Sequence, residues 1–148
     1  MAISTNPANG ARLRPAQSVT LSAAQTMIAA AQARAQEIGV PMNVAVVDEG
    51  NNLVAFAHMD GAWMGSIDIA QNKAYTARAF DMPTKDLAPL AQPGGSLYGI
   101  EASNHGRLIV FAGGIPLLAG DRVVGAIGVS GGSVDQDQDV AAAGAAAF

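Results

Sequence analysis

Apolar positions along the chain follow two periods. From residue 21 to 38 they recur at helical spacing: Leu21, Ala24, Met27, Ile28, Ala31, Ala35 and Ile38. Thr20 or Ser22 can cap this helix, and Gly39 followed by Pro41 ends it. Residues 43–48 (NVAVVD) and 53–59 (LVAFAHM) are short, apolar and partly β-branched. Turn residues Glu49-Gly50-Asn51-Asn52 separate them, so they read as two strands of a hairpin. The helical period returns over 66–80, with Ile67, Ala70, Ala74, Ala77 and Phe80 on one stripe, and residues 84–91 suit a short helix.

A loop rich in Gly and Pro opens at Pro93-Gly94-Gly95-Ser96 and runs to about Arg107. Three strands are expected beyond it: 108–111, 115–119 and 122–130, the last two joined by the two-residue turn Gly120-Asp121. Gly131-Gly132 breaks the last strand, and Ser133 with Gln136 forms the pattern of a capping box opening a final helix. Residues 1–17 are polar and small, with Pro7, Gly10 and Pro15, and read as a flexible N-terminal arm. Residues 18–148 then form a single domain. No strand–helix–strand repeat is present, which excludes a doubly wound parallel sheet. The order predicts an α/β chain of the α+β type, with a five-stranded antiparallel sheet flanked by helices.

Composition adds constraint. Half the residues are hydrophobic and mean hydropathy is +0.25, which excludes a disordered chain. The apolar half holds 31 Ala, with 17 Gly besides. Alanine removes little surface per residue, so the core should be thin, with backbones close together. Gly125 and Gly128 inside the last strand fit that expectation, because a strand glycine marks close approach by a neighbour. Eight basic residues against twelve acidic ones give net charge −4, without a basic stripe, so no nucleic-acid partner is expected. No apolar run reaches the roughly 20 residues that span a bilayer, and no membrane partner is expected. Residues 1–17 lack the apolar core of a signal peptide. A cytoplasmic location follows, or a secreted one if a signal segment has been removed.

Cysteine is absent, which removes disulfides, thiolate metal sites and cysteine nucleophiles. With two histidines besides, no closed structural metal site is expected. Chemistry must therefore come from few residues. His58 ends the second strand, where it could ligate a metal or haem iron or act as acid or base, and Asp60 follows two residues on. His105 sits in the loop before the third strand. Lys73 borders the apolar stripe of the second helix, with Arg78 further along, and a cation there could hold a carboxylate or propionate. Gly113-Gly114 lets backbone N–H groups approach an anion, but neither a Walker nor a dinucleotide fingerprint is present. Each of these has a plainer reading: a strand-end histidine, an idle loop histidine, a solvated lysine.

Four blocks carry a resemblance: VAVVDEGNNLVAFAHMDGA, IAQNKAYTARAF, GGIPLLAGDRVVGAIGVSGG and QDQDVAAAGAAA. Their order resembles the GlcG/HbpS-like haem-binding family, the same domain as the C-terminal part of PduO-type corrinoid proteins. The resemblance implies a profilin-like sandwich and a homo-oligomer, from a dimer up to an octamer. It also implies haem or corrinoid binding, in proteins coded beside catabolic enzymes. It maps onto Asp60, Gly61 and Ala62, onto Lys73, Ala74 and Thr76, and onto Gly113, Gly114, Pro116 and residues 128–132. His58 is a departure, standing where many family sequences have arginine.

Two functions follow. One is a homo-oligomer binding haem, another tetrapyrrole or a small ligand, with His58 or His105 on the iron and Lys73 or Arg78 on the propionates. The other is a hydrolase or isomerase acting on a carboxylated catabolic intermediate. Lys73 would anchor its carboxylate, His58 would act as acid or base oriented by Asp60, and the N–H groups at Gly113-Gly114 would stabilise an oxyanion. A non-catalytic sensor or accessory oligomer is a third reading.

Overall fold

A computed structural model describes residues 18–148; the arm read over 1–17 lies outside the described residues. Helix α1 (Leu21–Ile38) begins at Thr20, whose hydroxyl accepts from Ala23 N at 3.1 Å, and ends at Gly39 in the left-handed conformation. Strands β1 (Asn43–Asp48) and β2 (Leu53–His58) form the first hairpin. Helix α2 (Gly65–Phe80) and the single turn α3 (Thr84–Leu87) follow. Strands β3 (Gly114–Ala119) and β4 (Arg122–Ser130) form the second hairpin. Helix α4 (Val134–Ala146) starts from the Ser133–Gln136 capping box.

The strands make one antiparallel sheet in the order β2-β1-β4-β3. Its α+β character, antiparallel pairing and flanking helices match the expectation, but it has four strands rather than five. Residues 108–111 do not join it. Backbone groups around this segment bond to side chains instead: Ile109 N donates to Thr76 Oγ1 at 3.0 Å, and Gly113 N to Gln138 Oε1 at 3.1 Å. With those donors satisfied by α2 and α4, no ladder with β3 is needed.

Each face of the sheet carries one layer. Val44, Val46, Ile127 and Val129 pack with Met27, Ala31, Ala35 and Val140 of α1 and α4. On the other face Ala45, Val47 and Ala126 meet Ala70, Ala74 and Ala77 of α2. That second layer is built almost wholly of alanine, so α2 lies very close to the strands. Gly128 marks the contact. A Cβ there would fall 2.1 Å from the Ala70 carbonyl oxygen and 2.4 Å from Ala74 N. Among the described residues no helix is long and apolar enough to cross a membrane.

Candidate functional site

The hairpin register pairs Asn43, first residue of β1, with His58, last residue of β2. Asn43 is fully buried, whereas His58 is exposed. The Asn43 amide nitrogen donates to the Trp63 carbonyl at 3.0 Å. Its Oδ1 therefore faces His58 Nδ1, 2.6 Å away. An amide oxygen only accepts, so Nδ1 must carry the proton. The neutral ring then has its lone pair on Nε2. His58 lines an open cleft of about 390 Å³ with Met59, Asp60 and, from α1, Gln32 and Gln36. The Met59 sulfur accepts from Met42 N at 3.4 Å, which turns it toward the backbone. Trp63 and Met64 follow in the turn before α2, 66% and 84% exposed.

Lys73 lies elsewhere, inside the protein. Its exposure is 0%, and Nζ donates to Asp137 Oδ2 at 2.6 Å and to the Val129 carbonyl at 2.9 Å. The Phe111 ring covers it, 4.8 Å from Nζ to the ring centroid. Burial lowers the lysine pKa from its ordinary value, and the charge of Asp137 and the hydrogen bond to it work against that fall. The other carboxylate oxygen of Asp137 accepts from Gly131 N at 3.1 Å and Gly132 N at 2.9 Å. Gly113 sits against the ammonium with φ +121°, and a Cβ there would be 2.8 Å from Nζ. Gly114 N donates to Thr84 Oγ1 at 2.9 Å, so both N–H groups of the pair bond to side chains of the same chain. A substrate carboxylate or a propionate would have to displace Asp137 to reach Lys73.

Arg78 is also engaged: Nε donates to the Glu49 carbonyl at 2.8 Å and Nη1 pairs with Asp81. His105 is exposed and holds the left-handed conformation with Asn104 and Gly106. This turn is tied to α2 through Tyr75, whose hydroxyl donates to Asn104 Oδ1 at 2.8 Å. Arg107 stacks on the Tyr75 ring at 4.0 Å and donates to its hydroxyl at 2.9 Å. The structure thus brings His58 and Asp60 together at one cleft. Lys73, Arg78, His105, Gly113 and Gly114 are not among the residues lining it. Among the described residues, no three His, Cys, Asp or Glu side chains group as metal ligands do.

Sequence reasoning missed Asn43, Gln32, Gln36 and Asp137. The two glutamines sit four apart on α1, a spacing that places them on one helix face. Asp137 is one of three acids, with Asp135 and Asp139, near the start of the last helix, and nothing in the sequence sets it apart from the other two.

A family model described as "Haem degrading protein HbpS-like" matches residues 19–146. The chain belongs to the HbpS-like family. Among relatives, an uncharacterised 15.0 kDa protein in the dhaT-dhaS intergenic region of Citrobacter freundii is 45% identical over 120 residues, which is 81% of this chain and 84% of that protein. The HbpS-like fold is shared with the crystal structure of ORFY from Klebsiella pneumoniae (TM-score 0.90, 41% identity, 93% of this chain and 95% of that one). The crystal structure of a PduOC–haem complex matches with TM-score 0.85 and 35% identity, over 88% of this chain and 94% of that one.

Proposed function

We propose that the protein binds haem, or a related tetrapyrrole, at the cleft beside the end of β2, with His58 Nε2 as the ligand to iron. The observation that carries this reading is the Asn43–His58 hydrogen bond, which leaves Nε2 as an unprotonated donor at an open cleft. Imidazole nitrogen is a common haem ligand, and a ligating ring usually donates its other N–H to a fixed acceptor. Of the other lining residues, Asp60 is an acid and would turn a propionate away from itself, toward Gln32 and Gln36. Trp63 and Met64 offer apolar surface in the adjoining turn, and the amides of Gln32 and Gln36 offer donors for a propionate. A relative of known structure holds haem, which supports the same ligand class here. Bound haem would supply a redox-active iron with a further coordination position. The protein's own part is to orient His58, to shield one face of the ring system and to hold the propionates.

Assembly of identical subunits belongs to this reading. Both outer strands of the sheet carry exposed apolar residues, Leu53 on β2 at 50% and Leu118 on β3 at 55%. A second chain over β2 would also close the haem cleft.

Titrating the purified protein with haemin, and following the Soret band, tests the ligand. A saturable shift is expected, with affinity reduced at least about tenfold in His58→Ala and unchanged in His105→Ala. A shift indifferent to His58→Ala, or lost only in His105→Ala, overturns the assignment. Light scattering on the same sample should give a mass well above 14.9 kDa.

A further inference from the structure

Behind this cleft, Asn43 has both polar ends of its side chain fixed. The amide sits at the first position of β1, fully buried, with Nδ2 against the Trp63 carbonyl at 3.0 Å and Oδ1 against His58 Nδ1 at 2.6 Å. Position 43 therefore needs one donor and one acceptor on a short side chain. Aspartate would set a carboxylate oxygen against the Trp63 carbonyl, acceptor against acceptor. Leucine would leave the carbonyl and the ring N–H without partners.

We infer that Asn43 is a positioning residue: its buried amide locks His58 in the Nδ1–H tautomer and so reserves Nε2 for an electron-pair acceptor, the iron of a bound tetrapyrrole. The assignment to iron rests on the function proposed above; the tautomer stands on the hydrogen bonds alone. Free histidine prefers the opposite tautomer, with the proton on Nε2. Without Asn43 the ring would have to give up that proton or exchange tautomers before it could ligate. The choice of an amide over a carboxylate also matters. A carboxylate partner would stabilise the imidazolium and make the ring more basic, whereas a neutral oxygen holds the proton without adding charge.

The same amide ties His58 to the turn that carries Trp63 and Met64. Ring orientation and turn position are held by one group, so a tetrapyrrole touching the turn would meet Nε2 already aimed.

The test begins without haem. Long-range proton–nitrogen correlation on ¹⁵N-labelled apoprotein, at a pH where His58 is neutral, should show a protonated Nδ1 and an unprotonated Nε2. A dominant Nε2–H form in the unmodified protein overturns the inference, and no variant is needed to see it. Asn43→Leu, checked for an intact fold by circular dichroism, should shift the ring toward Nε2–H and weaken haemin binding about tenfold. Haemin affinity equal to that of the unmodified protein, in a variant whose tautomer has changed, removes the positioning role. If the apoprotein shows Nδ1–H but His58→Ala binds haemin normally, the proposed function fails while the tautomer lock stands.

Discussion

An isolated lysine changes meaning once its neighbours are known. By sequence Lys73 is a cation beside an apolar stripe, suited to a ligand or to solvent. In the fold it is sealed against Asp137, Val129 and Phe111. Breaking such a pair from one side leaves the other charge buried alone. Lys73→Met should cost about 3–5 kcal/mol. The double variant Lys73→Met with Asp137→Asn should cost much less, because the asparagine oxygen still accepts from Gly131 and Gly132. Urea unfolding of the three proteins measures it, and equal losses in the single and double variants would show that charge is not what couples the residues. His58 was legible as a candidate; Asn43 was not. Counting back from Val47 opposite Leu53 without a break pairs Asn43 with Ala57. The irregularity between Val46 and Val47 shifts the register by one and brings His58 opposite. A bulge leaves no mark in a short run such as VAVV or LVAFA.

Elements were more readable than their partners. The caps at Thr20, Gly39 and Ser133 were written in residue types that act locally, and the structure uses all three. Both hairpins follow from turn chemistry. The fifth strand failed because a short apolar run does not state what its backbone bonds to, and within residues 108–111 Ile109 N is met by the Thr76 side chain. One letter held a warning. Pro116 in β3 has no N–H to give a further strand, which suits β3 to the edge position it occupies. Glycine in β4 was read correctly as close approach, and the neighbour at Gly128 is α2. Gly128→Ala should destabilise by about 3 kcal/mol, since the added methyl meets helix backbone rather than a side chain that can turn away. Thermal unfolding would show it. A near-neutral result would mean that α2 can slide.

For the whole molecule, the thin core inferred from 31 alanines is a layer between α2 and the sheet, and larger side chains fill the opposite layer. Fold class and family were thus legible, because pattern and turn residues repeat them many times along the chain. The candidate site was half legible, because it depends on a single register. The pairing of Lys73 with Asp137 has a consequence for how the molecule opens. It joins α2 to α4, and through Val129 and Gly131-Gly132 it also fastens the end of β4. Fraying α4 alone would bare a carboxylate and strand an ammonium in an apolar pocket. Partial opening at this corner is therefore disfavoured. Amide hydrogen exchange should find the protected positions of α2, the end of β4 and α4 released at one common free energy. In Lys73→Met with Asp137→Asn, α4 should exchange ahead of the other two. A C-terminal helix held only by alanines would be the first to loosen; this one is bolted to the centre.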